Sequence, residues 1–353
     1  MDQTERRNSL RIVSLIPSAT EIVAALGYAD ALVGRSHECD YPATVLSLPV
    51  CTEPKFDPVG TSGEIHQRVT DLLTSALSVY RVKTEVLADL RPTHIITQAQ
   101  CEVCAVSLSD VEKAVAELLN AESVSKDSPI QVISLQPERL ADLWTDIARV
   151  AAAFNASTTG KATTDRIVTQ LKNRLKHIGA DDVTKETLTQ EISPKEISSK
   201  VLLAKETLPN QDLPTVACIE WTDPLMAAGN WVPELVRLAG GLDCFGKPGQ
   251  HSDWMSWDEL TRADPDIIVV LPCGYDLSQT RQATEEMAKH PSWLQLKAVR
   301  DQNVYLTDGN QYFNRPGPRL VESGEILAEI IQKRAVNPKR QPKGWQNWND
   351  RSC

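Results

Sequence analysis

Two loops of the sequence carry side chains that could bind a metal. His37 and Cys39 lie in SHECDYP, and Cys101 and Cys104 lie in QCEVC. Both loops follow predicted strands of one lobe, so the four side chains could converge at one edge of its sheet. Three cysteines and a histidine suit zinc, and a thiolate or imidazole could also bind cobalt or iron from one face. The alternative is that the cysteines are small, partly buried residues near a cleft.

A second group of candidate residues is aromatic and lies in the second half of the chain. Its members are Trp221, Trp231, Trp254, Trp257, Tyr275, Tyr312 and Phe313. Aromatic walls with amides and hydroxyls at the rim suit a flat, largely apolar macrocycle with polar side groups better than a bare ion. The alternative is that Trp221 and Trp257 belong to the core, where large aromatic side chains are usually found.

The segment NRPGPR adds two candidates for polar recognition, Asn314 and Arg315. A guanidinium offers a planar fork of donors that fits a phosphate or a carboxamide edge. The same segment could instead be a rigid turn beside the last strand, because proline and glycine both favour turns. Both interpretations stay open at this point.

The sequence offers no positive case for catalysis. Glu220 and Asp223 in EWTDP could act as acid and base, but no activated nucleophile and no pair of base and orienting group accompanies them. A Ser-His-Asp arrangement, a P-loop and a G-x-G-x-x-G run are absent from the sequence. We therefore expect a protein that is not an enzyme.

Short apolar strands that alternate with amphipathic helices must position these side chains. The first strand, Ile12 to Ile16, is a β-branched run that ends at Pro17. We expect Ser18 or Thr20 to cap the following helix, which should end at Gly27. The same alternation continues along the chain and predicts parallel sheets covered on both faces.

The pattern also predicts how the chain divides. Residues 179–213 are rich in Lys, Glu, Ser and Thr and cannot bury enough apolar surface to order themselves. The basic end of the chain is expected to be loosely ordered. The predicted organisation is an N-terminal α/β lobe at 10–136, an interlobe helix at 137–178, a flexible polar insertion at 179–213, a C-terminal α/β lobe at 214–335 and a basic tail at 336–353.

Composition excludes several classes of partner. The 353 residues carry a formal net charge of −10, which disfavours nucleic acid as a partner. No apolar run approaches the roughly 20 residues of a membrane helix, so we expect no membrane insertion. The first ten residues are polar, with no apolar export segment or lipobox, and the eight cysteines are scattered. These features predict a cytoplasmic protein with reduced thiols.

Several stretches together resemble a known family. They are SLIPSATEIVAALG with VGRSHECDYP, LADLRPTHIITQ, IEWTDPLMAAGNWVPELVRLAGG, DPDIIVVLPCGYDL and YFNRPGPRLVESGEILA. The chain resembles, over roughly residues 10–335, the vitamin B12 and iron-siderophore binding proteins of ABC importers, and more narrowly their cobalamin-binding branch. The resemblance implies the class III substrate-binding-protein fold, with two Rossmann-like α/β lobes of parallel sheets joined by one long helix.

The resemblance also implies a ligand and a place for it. We expect a cobalamin-like corrinoid to bind in the cleft between the two lobes. The expected ligand-binding residues are Pro17, Ser18, His37, Glu38, Cys39, Tyr41, Cys101, Cys104, Trp221, Trp231, Trp254, Tyr275, Tyr312, Asn314 and Arg315. His37, Cys39, Cys101 and Cys104 are also the residues that could hold zinc or iron.

Two alternative functions stay open, and the resemblance implies one protein partner. The ligand could instead be haem, an iron-siderophore or another metal chelate. From a different class, the chain could be a cytosolic metal-dependent enzyme or redox protein that uses the His/Cys loops. Proteins of the resembled family dock an ABC permease through an acidic residue on each lobe, which points to Asp110 and Glu234 here.

Overall fold

The computed structural model describes residues 10–75, 78–99, 106–120, 130–154, 158–178, 213–338 and 344–350. Cys101, Cys104 and all but the last residue of the predicted insertion lie outside them. The chain forms two compact units. The first comprises Met1–Pro137, Ala141–Val168 and Pro316–Pro318, and the second comprises Glu138–Leu140, Thr169–Arg315 and Arg319–Cys353.

The first unit is built on a four-stranded sheet and a two-stranded ribbon. Its strands are β1 (Ile12–Ser14), β2 (Leu32–Arg35), β3 (Thr52–Pro54), β4 (Tyr80–Val82), β5 (His94–Gln98) and β6 (Gln131–Leu135). Its first helices are α1 (Pro17–Ala25), α2 (Ser62–Thr74), α3 (Thr84–Leu90) and α4 (Leu108–Asn120), with 3-10 turns at Ala29–Ala31 and Ala43–Ser47.

The strand order in the first sheet is β2-β1-β5-β6, and every pairing is parallel. Its central strands are apolar because both faces are covered, and Val13, Leu15 and Ile95 belong to one buried cluster. Strands β3 and β4 pair antiparallel beside the sheet. The carboxyl ends of four parallel strands therefore meet at one edge, where loops can place functional side chains.

The second unit is built on one mixed sheet. Its strands are β7 (Thr215–Thr222), β8 (Leu225–Ala227), β9 (Leu242–Asp243), β10 (Ile267–Val270), β11 (Val304–Thr307) and β12 (Trp345–Asn347). Its helices are α7 (Val232–Leu238), α8 (Trp257–Ala263), α9 (Leu277–Met287), α10 (Lys297–Arg300) and α11 (Leu320–Gln332), with a 3-10 turn at Trp293–Gln295 and a π turn at Gly309–Phe313.

The strand order in this sheet is β12-β11-β10-β7-β8, with β9 beside β7. The central pairings, β7 with β10 and β10 with β11, are parallel. The outer strands β8 and β12 pair antiparallel with β7 and β11. The expectation of two α/β lobes with parallel sheets is confirmed, and the second sheet carries an antiparallel strand at each end.

The first helix begins earlier than the sequence pattern predicts. Pro17 is its first residue and Ile16 its N-cap, with no side-chain cap. Proline suits the first helical position because its fixed φ matches that of the helix. An N–H at this position would have no acceptor within the helix, so its absence costs no hydrogen bond. Thr20 instead donates its hydroxyl to Ser14 Oγ at 2.8 Å. The predicted cap at Ser18 or Thr20 is therefore wrong, whereas Gly27 follows the helix end with φ +83° as expected.

Two helices occupy the region of the predicted interlobe helix. They are α5 (Leu140–Phe154) and α6 (Thr158–Ile178). Residues 155–157 lie outside the described residues, so the continuity of this region stays a prediction. The helical spacing itself is confirmed, since Leu143, Ile147 and Val150 are all buried.

The expectation of a loosely ordered tail is wrong for residues 344–350. Strand β12 pairs with β11, and Trp345 packs edge-on against Tyr305 at 5.6 Å between ring centroids. The Trp345 indole N–H donates to Glu329 at 2.8 Å, and Arg281 lies 5.6 Å from the ring centre of Trp348. A sheet edge presents unpaired N–H and C=O groups, and these aromatic contacts hold β12 against those of β11.

No helix among the described residues is both long enough and apolar enough to cross a lipid bilayer.

Candidate functional site

The loop after β2 is shaped by Arg35. Its guanidinium donates hydrogen bonds to the carbonyls of Ser36, at 3.0 Å, and Cys39, at 3.1 Å, with a longer one to His37. One half-buried arginine thus satisfies several carbonyls of a loop that has no regular structure of its own. This arrangement sets the backbone that carries His37 at the carboxyl edge of the first sheet.

His37 is held by Thr52 at the start of β3. The Thr52 hydroxyl oxygen lies 2.8 Å from His37 Nδ1 and accepts the His37 backbone N–H at 3.1 Å. Thr52 is fully buried, and Tyr80 lies against the imidazole at 5.3 Å between ring centroids. Burial, with the positive charges of Lys83 and Arg35, lowers the pKa of His37 to about 4. The imidazole is therefore neutral at physiological pH.

Cys39 lies in the interior of the first unit. It is 1% exposed, and its sulfur lies 3.0 Å from the Thr20 hydroxyl oxygen. This geometry favours the interpretation of Cys39 as a small buried residue. Among the described residues, no three His, Cys, Asp or Glu side chains are close enough to hold a metal ion. A site that includes Cys101 and Cys104 stays a prediction, because both lie outside those residues.

The other ligand candidates of the first unit have different environments. Pro17 and Ser18 are buried at the start of α1, and the Ser18 hydroxyl has no hydrogen-bond partner in the described part of the chain. Glu38 is half-buried, and its backbone N–H donates to Ser36 Oγ at 3.3 Å. Tyr41 is 48% exposed. Their roles in binding stay predictions.

An aromatic pair marks the carboxyl edge of the second sheet. Trp221 near the end of β7 and Tyr275 after β10 have ring centroids 5.3 Å apart at a tilted angle. The Trp221 indole N–H donates to the Asp223 carbonyl at 3.0 Å, which fixes the ring. Trp221 is half-buried, while Tyr275 is almost covered. Neighbouring strand ends bring these two aromatic residues together, although 54 positions separate them in the printed sequence.

The remaining aromatic candidates divide between surface and interior. Trp254 is 57% exposed beside Met226 of β8. Trp231 and Tyr312 are buried, and the Trp231 indole donates to the Phe313 carbonyl at 3.0 Å. Trp257, which could alternatively belong to the core, stacks on His290 with ring centroids 4.0 Å apart. Burial of Trp231 and Tyr312 favours a packing role over a large contact with a ligand.

Asn314 and Arg315 hold the π turn that follows β11. The Asn314 amide donates to the carbonyls of Leu271 and Gly309 at 3.1 and 3.0 Å. Arg315 is 4% exposed and donates to Asn310 Oδ1 at 2.8 Å. These bonds fit the rigid-turn interpretation of NRPGPR. A contact of either side chain with a ligand stays a prediction.

Glu220 also lies at this edge, although it is not among the expected ligand-binding residues. Burial raises the pKa of its carboxyl, against hydrogen bonds from Ser252 and Gly229 that lower it. The Ser252 hydroxyl donates to Glu220 Oε2 at 2.9 Å. The signal in the sequence is an acidic residue directly after the apolar run VACI, and a buried acid of this kind is costly unless it is hydrogen-bonded.

The two docking candidates are both engaged within their own units. Asp110 accepts the Ser107 hydroxyl at 2.9 Å and lies 3.7 Å from Lys113. Glu234 is half-buried and accepts the backbone N–H of Leu140 at 2.9 Å, where α5 begins. A carboxylate at a helix N-terminus stabilises that helix. Docking to a permease through these residues stays a prediction.

The chain matches the family described as periplasmic binding protein over residues 12–311. It is 23% identical over 335 residues to the uncharacterized ABC transporter substrate-binding lipoprotein YvrC of Bacillus subtilis, covering 94% of this chain and 82% of that protein. Among solved structures it resembles the periplasmic vitamin B12 binding protein BtuF of Vibrio cholerae, with 18% identity, coverage of 92% and 96%, and a TM-score of 0.55. It also resembles a periplasmic heme binding protein of Pseudomonas aeruginosa, with 18% identity, coverage of 97% and 99%, and a TM-score of 0.61.

The family match spans most of the chain, so the protein belongs to the periplasmic binding protein family. It is a binding protein rather than an enzyme. The expected cytoplasmic location is wrong, because this family is periplasmic and the Bacillus relative is a lipoprotein.

Proposed function

We propose that this member of the periplasmic binding protein family is the substrate-binding component of an ABC importer, and that its ligand is a cobalamin-like corrinoid. At the coarser level, the ligand class comprises vitamin B12, haem and iron-siderophores. The lipoprotein of Bacillus subtilis supports the importer role, and BtuF of Vibrio cholerae supports the corrinoid. An ABC permease is the corresponding protein partner.

The observation that carries the corrinoid proposal is the pair formed by Trp221 and Tyr275. Their rings lie side by side at the carboxyl edge of a parallel sheet, where ligands of α/β proteins usually bind. A corrin ring is flat and largely apolar, with amide groups around its rim. An aromatic surface with one half-buried indole suits the face of the corrin ring. The polar groups of the turn after β11 suit the amides at its rim.

Haem is the second candidate. It shares the flat metal-centred ring, and a heme binding protein of Pseudomonas aeruginosa has the same fold. The two ligands differ at the rim, since haem carries carboxylates where a corrinoid carries amides. Titration of the purified protein by calorimetry with cobalamin, cobinamide, haemin and a ferric siderophore distinguishes the candidates. Saturable binding of corrinoids alone supports the proposal, and failure of every one of these ligands to bind contradicts it.

The role of the aromatic pair has its own test. Replacing Trp221 by alanine should weaken corrinoid binding about 10-fold, since a lost aromatic contact is worth roughly 1–2 kcal/mol. Trp257→Ala is the matched control, because Trp257 is also a partly covered tryptophan of the second unit but stacks on His290. Calorimetry of both variants should show a change in the dissociation constant for Trp221→Ala alone. Equal affinities in the two variants would remove the aromatic pair from the site.

A further inference from the structure

The hydrogen bonds around Thr52 favour one tautomer of His37. The Thr52 hydroxyl donates its single hydrogen to Ser36 Oγ at 3.1 Å. Its oxygen then acts only as an acceptor, toward the His37 backbone N–H at 3.1 Å and toward Nδ1 at 2.8 Å. In that arrangement Nδ1 is the protonated, donating nitrogen, and Nε2 carries the free lone pair.

The surroundings of the ring leave Nε2 available. Nδ1 contacts a fully buried threonine, and Nε2 is the second nitrogen of the same ring. No described residue forms a hydrogen bond or ion pair with Nε2. His37 itself is only half-buried, whereas Thr52, Ser36 and Tyr80 around it are covered. The imidazole is thus held through Nδ1, and Nε2 has no hydrogen-bond partner among the described residues.

This arrangement is the one that metal-binding histidines use. A ligating imidazole normally donates its second N–H to a protein oxygen, which fixes the tautomer and the ring orientation. Here the oxygen of Thr52 serves that purpose, and Tyr80 limits rotation of the ring. The supporting contacts come from β3 and β4, which pair with each other. The ring orientation is therefore set by a folded ribbon rather than by the loop alone.

We propose that His37 Nε2 is an axial ligand of the metal at the centre of the bound macrocycle. This inference rests on the proposed function and makes it more specific, because it requires a metal with an exchangeable axial position. Nε2 donates its lone pair to the metal and displaces a bound water, without transfer of an electron or proton. The preferred corrinoid is one whose axial ligands are exchangeable waters, such as diaquacobinamide, and ferric haem also has an exchangeable axial position.

The test uses electron paramagnetic resonance of the full-length protein with cob(II)inamide. A single coordinated nitrogen splits each cobalt line into three, and this splitting should appear in the wild type and disappear in His37→Gln. The matched control is His94→Gln. His94 also has Nδ1 beside a threonine hydroxyl, at 2.9 Å from Thr93 Oγ1, but it lies at the amino end of β5. Its replacement should leave the splitting unchanged.

Affinity measurements give a second readout. His37→Gln should weaken binding of diaquacobinamide about 10-fold or more, and Thr52→Val about 10-fold through loss of the orienting bond. Dicyanocobinamide has both axial positions filled, so its affinity should not respond to His37→Gln. Circular dichroism of each variant checks that it folds. Persistence of the nitrogen splitting in His37→Gln, or an equal loss of affinity for both cobinamides, overturns the proposal.

The outcomes separate this inference from the proposed function. Corrinoid binding by the wild type without nitrogen splitting overturns the axial role of His37 and leaves the proposed function intact. If haemin binds instead of corrinoids, a change of the haem absorption spectrum in His37→Gln but not in His94→Gln supports the axial role with iron as the metal. If the wild type binds neither macrocycle, both proposals fail together.

Discussion

The carboxyl edges of the two sheets share an architecture and differ in chemistry. At the first edge, buried hydroxyls of Ser36 and Thr52 surround the imidazole of His37. At the second edge, Trp221 and Tyr275 form an aromatic pair close in sequence to the buried carboxyl of Glu220. The first edge can supply a lone pair to a metal, and the second can supply an apolar face.

The same physical effect acts on the ionisable group of each edge with opposite results. Removal from water disfavours a charge of either sign, so burial lowers the pKa of His37 and raises the pKa of Glu220. Both groups are thereby pushed toward their neutral forms. Two loops with no similarity in sequence thus reach a similar electrostatic state.

The largest expected effect concerns the backbone beneath the second edge. A Cβ on Gly229 would lie 2.5 Å from the Gln250 carbonyl oxygen and 2.6 Å from the Ser252 nitrogen. Gly229→Ala should therefore lower the free energy of unfolding by about 3 kcal/mol, since the clash is with backbone. Chemical denaturation measures the change. It should also disturb the bond between Ser252 and Glu220.

Gly27→Ala in the first unit is the control for this prediction. Gly27 has φ +83° but no heavy atom within 4 Å of the added Cβ. Its replacement should cost only about 1 kcal/mol, from backbone strain alone. Equal costs at the two glycines would show that the loop at 250–252 moves freely and does not constrain the second edge.

The opposite pKa shifts predict opposite pH dependences for the two edges. The pKa of His37 falls from 6.5 to about 4 on folding, so its contribution is present above pH 6.5 and is lost as the pH falls. The pKa of Glu220 rises above 4.5 on folding, so its contribution is present below pH 4.5 and is lost as the pH rises through the raised value.

Denaturation of His37→Gln and Glu220→Gln beside the wild type tests these slopes. From about pH 7.5 to about pH 4, the stability of the wild type relative to His37→Gln should fall by roughly 2 kcal/mol, allowing for partial exposure of the ring. Relative to Glu220→Gln, the wild type should instead gain stability over the same change. Slopes of the same sign would mean that one of the two groups is solvated in the native protein.

The smallest expected effect is the loss of a helix cap, and it should destabilise the two units by similar amounts. Thr61 begins α2 and Ser256 begins α8, and each forms a capping box with a glutamate. Thr61→Ala and Ser256→Ala should each cost about 1 kcal/mol in unfolding free energy. Thr70→Ala, an exposed position within α2, should cost almost nothing. A large difference between the two caps would show that the units differ in more than their edges.

Much of the fold was predictable because its signals are local. Apolar β-branched runs such as Ile267 to Val270 became central strands, and Ser256 caps α8 as its position before WDEL suggests. The start of the first helix was predicted wrongly although its signal is also local. Pro17 can either end a strand or occupy the first helical position. The prediction includes only the role of Pro17 as the residue that ends the strand.

The candidate site was less predictable, because residue type alone does not tell which side chains face inward. Trp221 and Trp231 lie in one short stretch of sequence, yet Trp231 is buried with its indole bonded to Phe313 while Trp221 remains half-exposed. His37 and Cys39 are two positions apart, yet the cysteine is enclosed. Partners far along the chain decide these orientations, and local patterns do not contain them.

The α/β class, the order of most helices and strands, and the family can be read from the amino-acid sequence, since they follow from local periodicity and from matched stretches. Long-range packing is what places Thr52 against His37 Nδ1, Glu220 beside Ser252, and the strand of Trp345 against β11. Each of these depends on contacts between residues at least 15 positions apart. Such contacts exist only after the sheets have formed and have brought distant loops together.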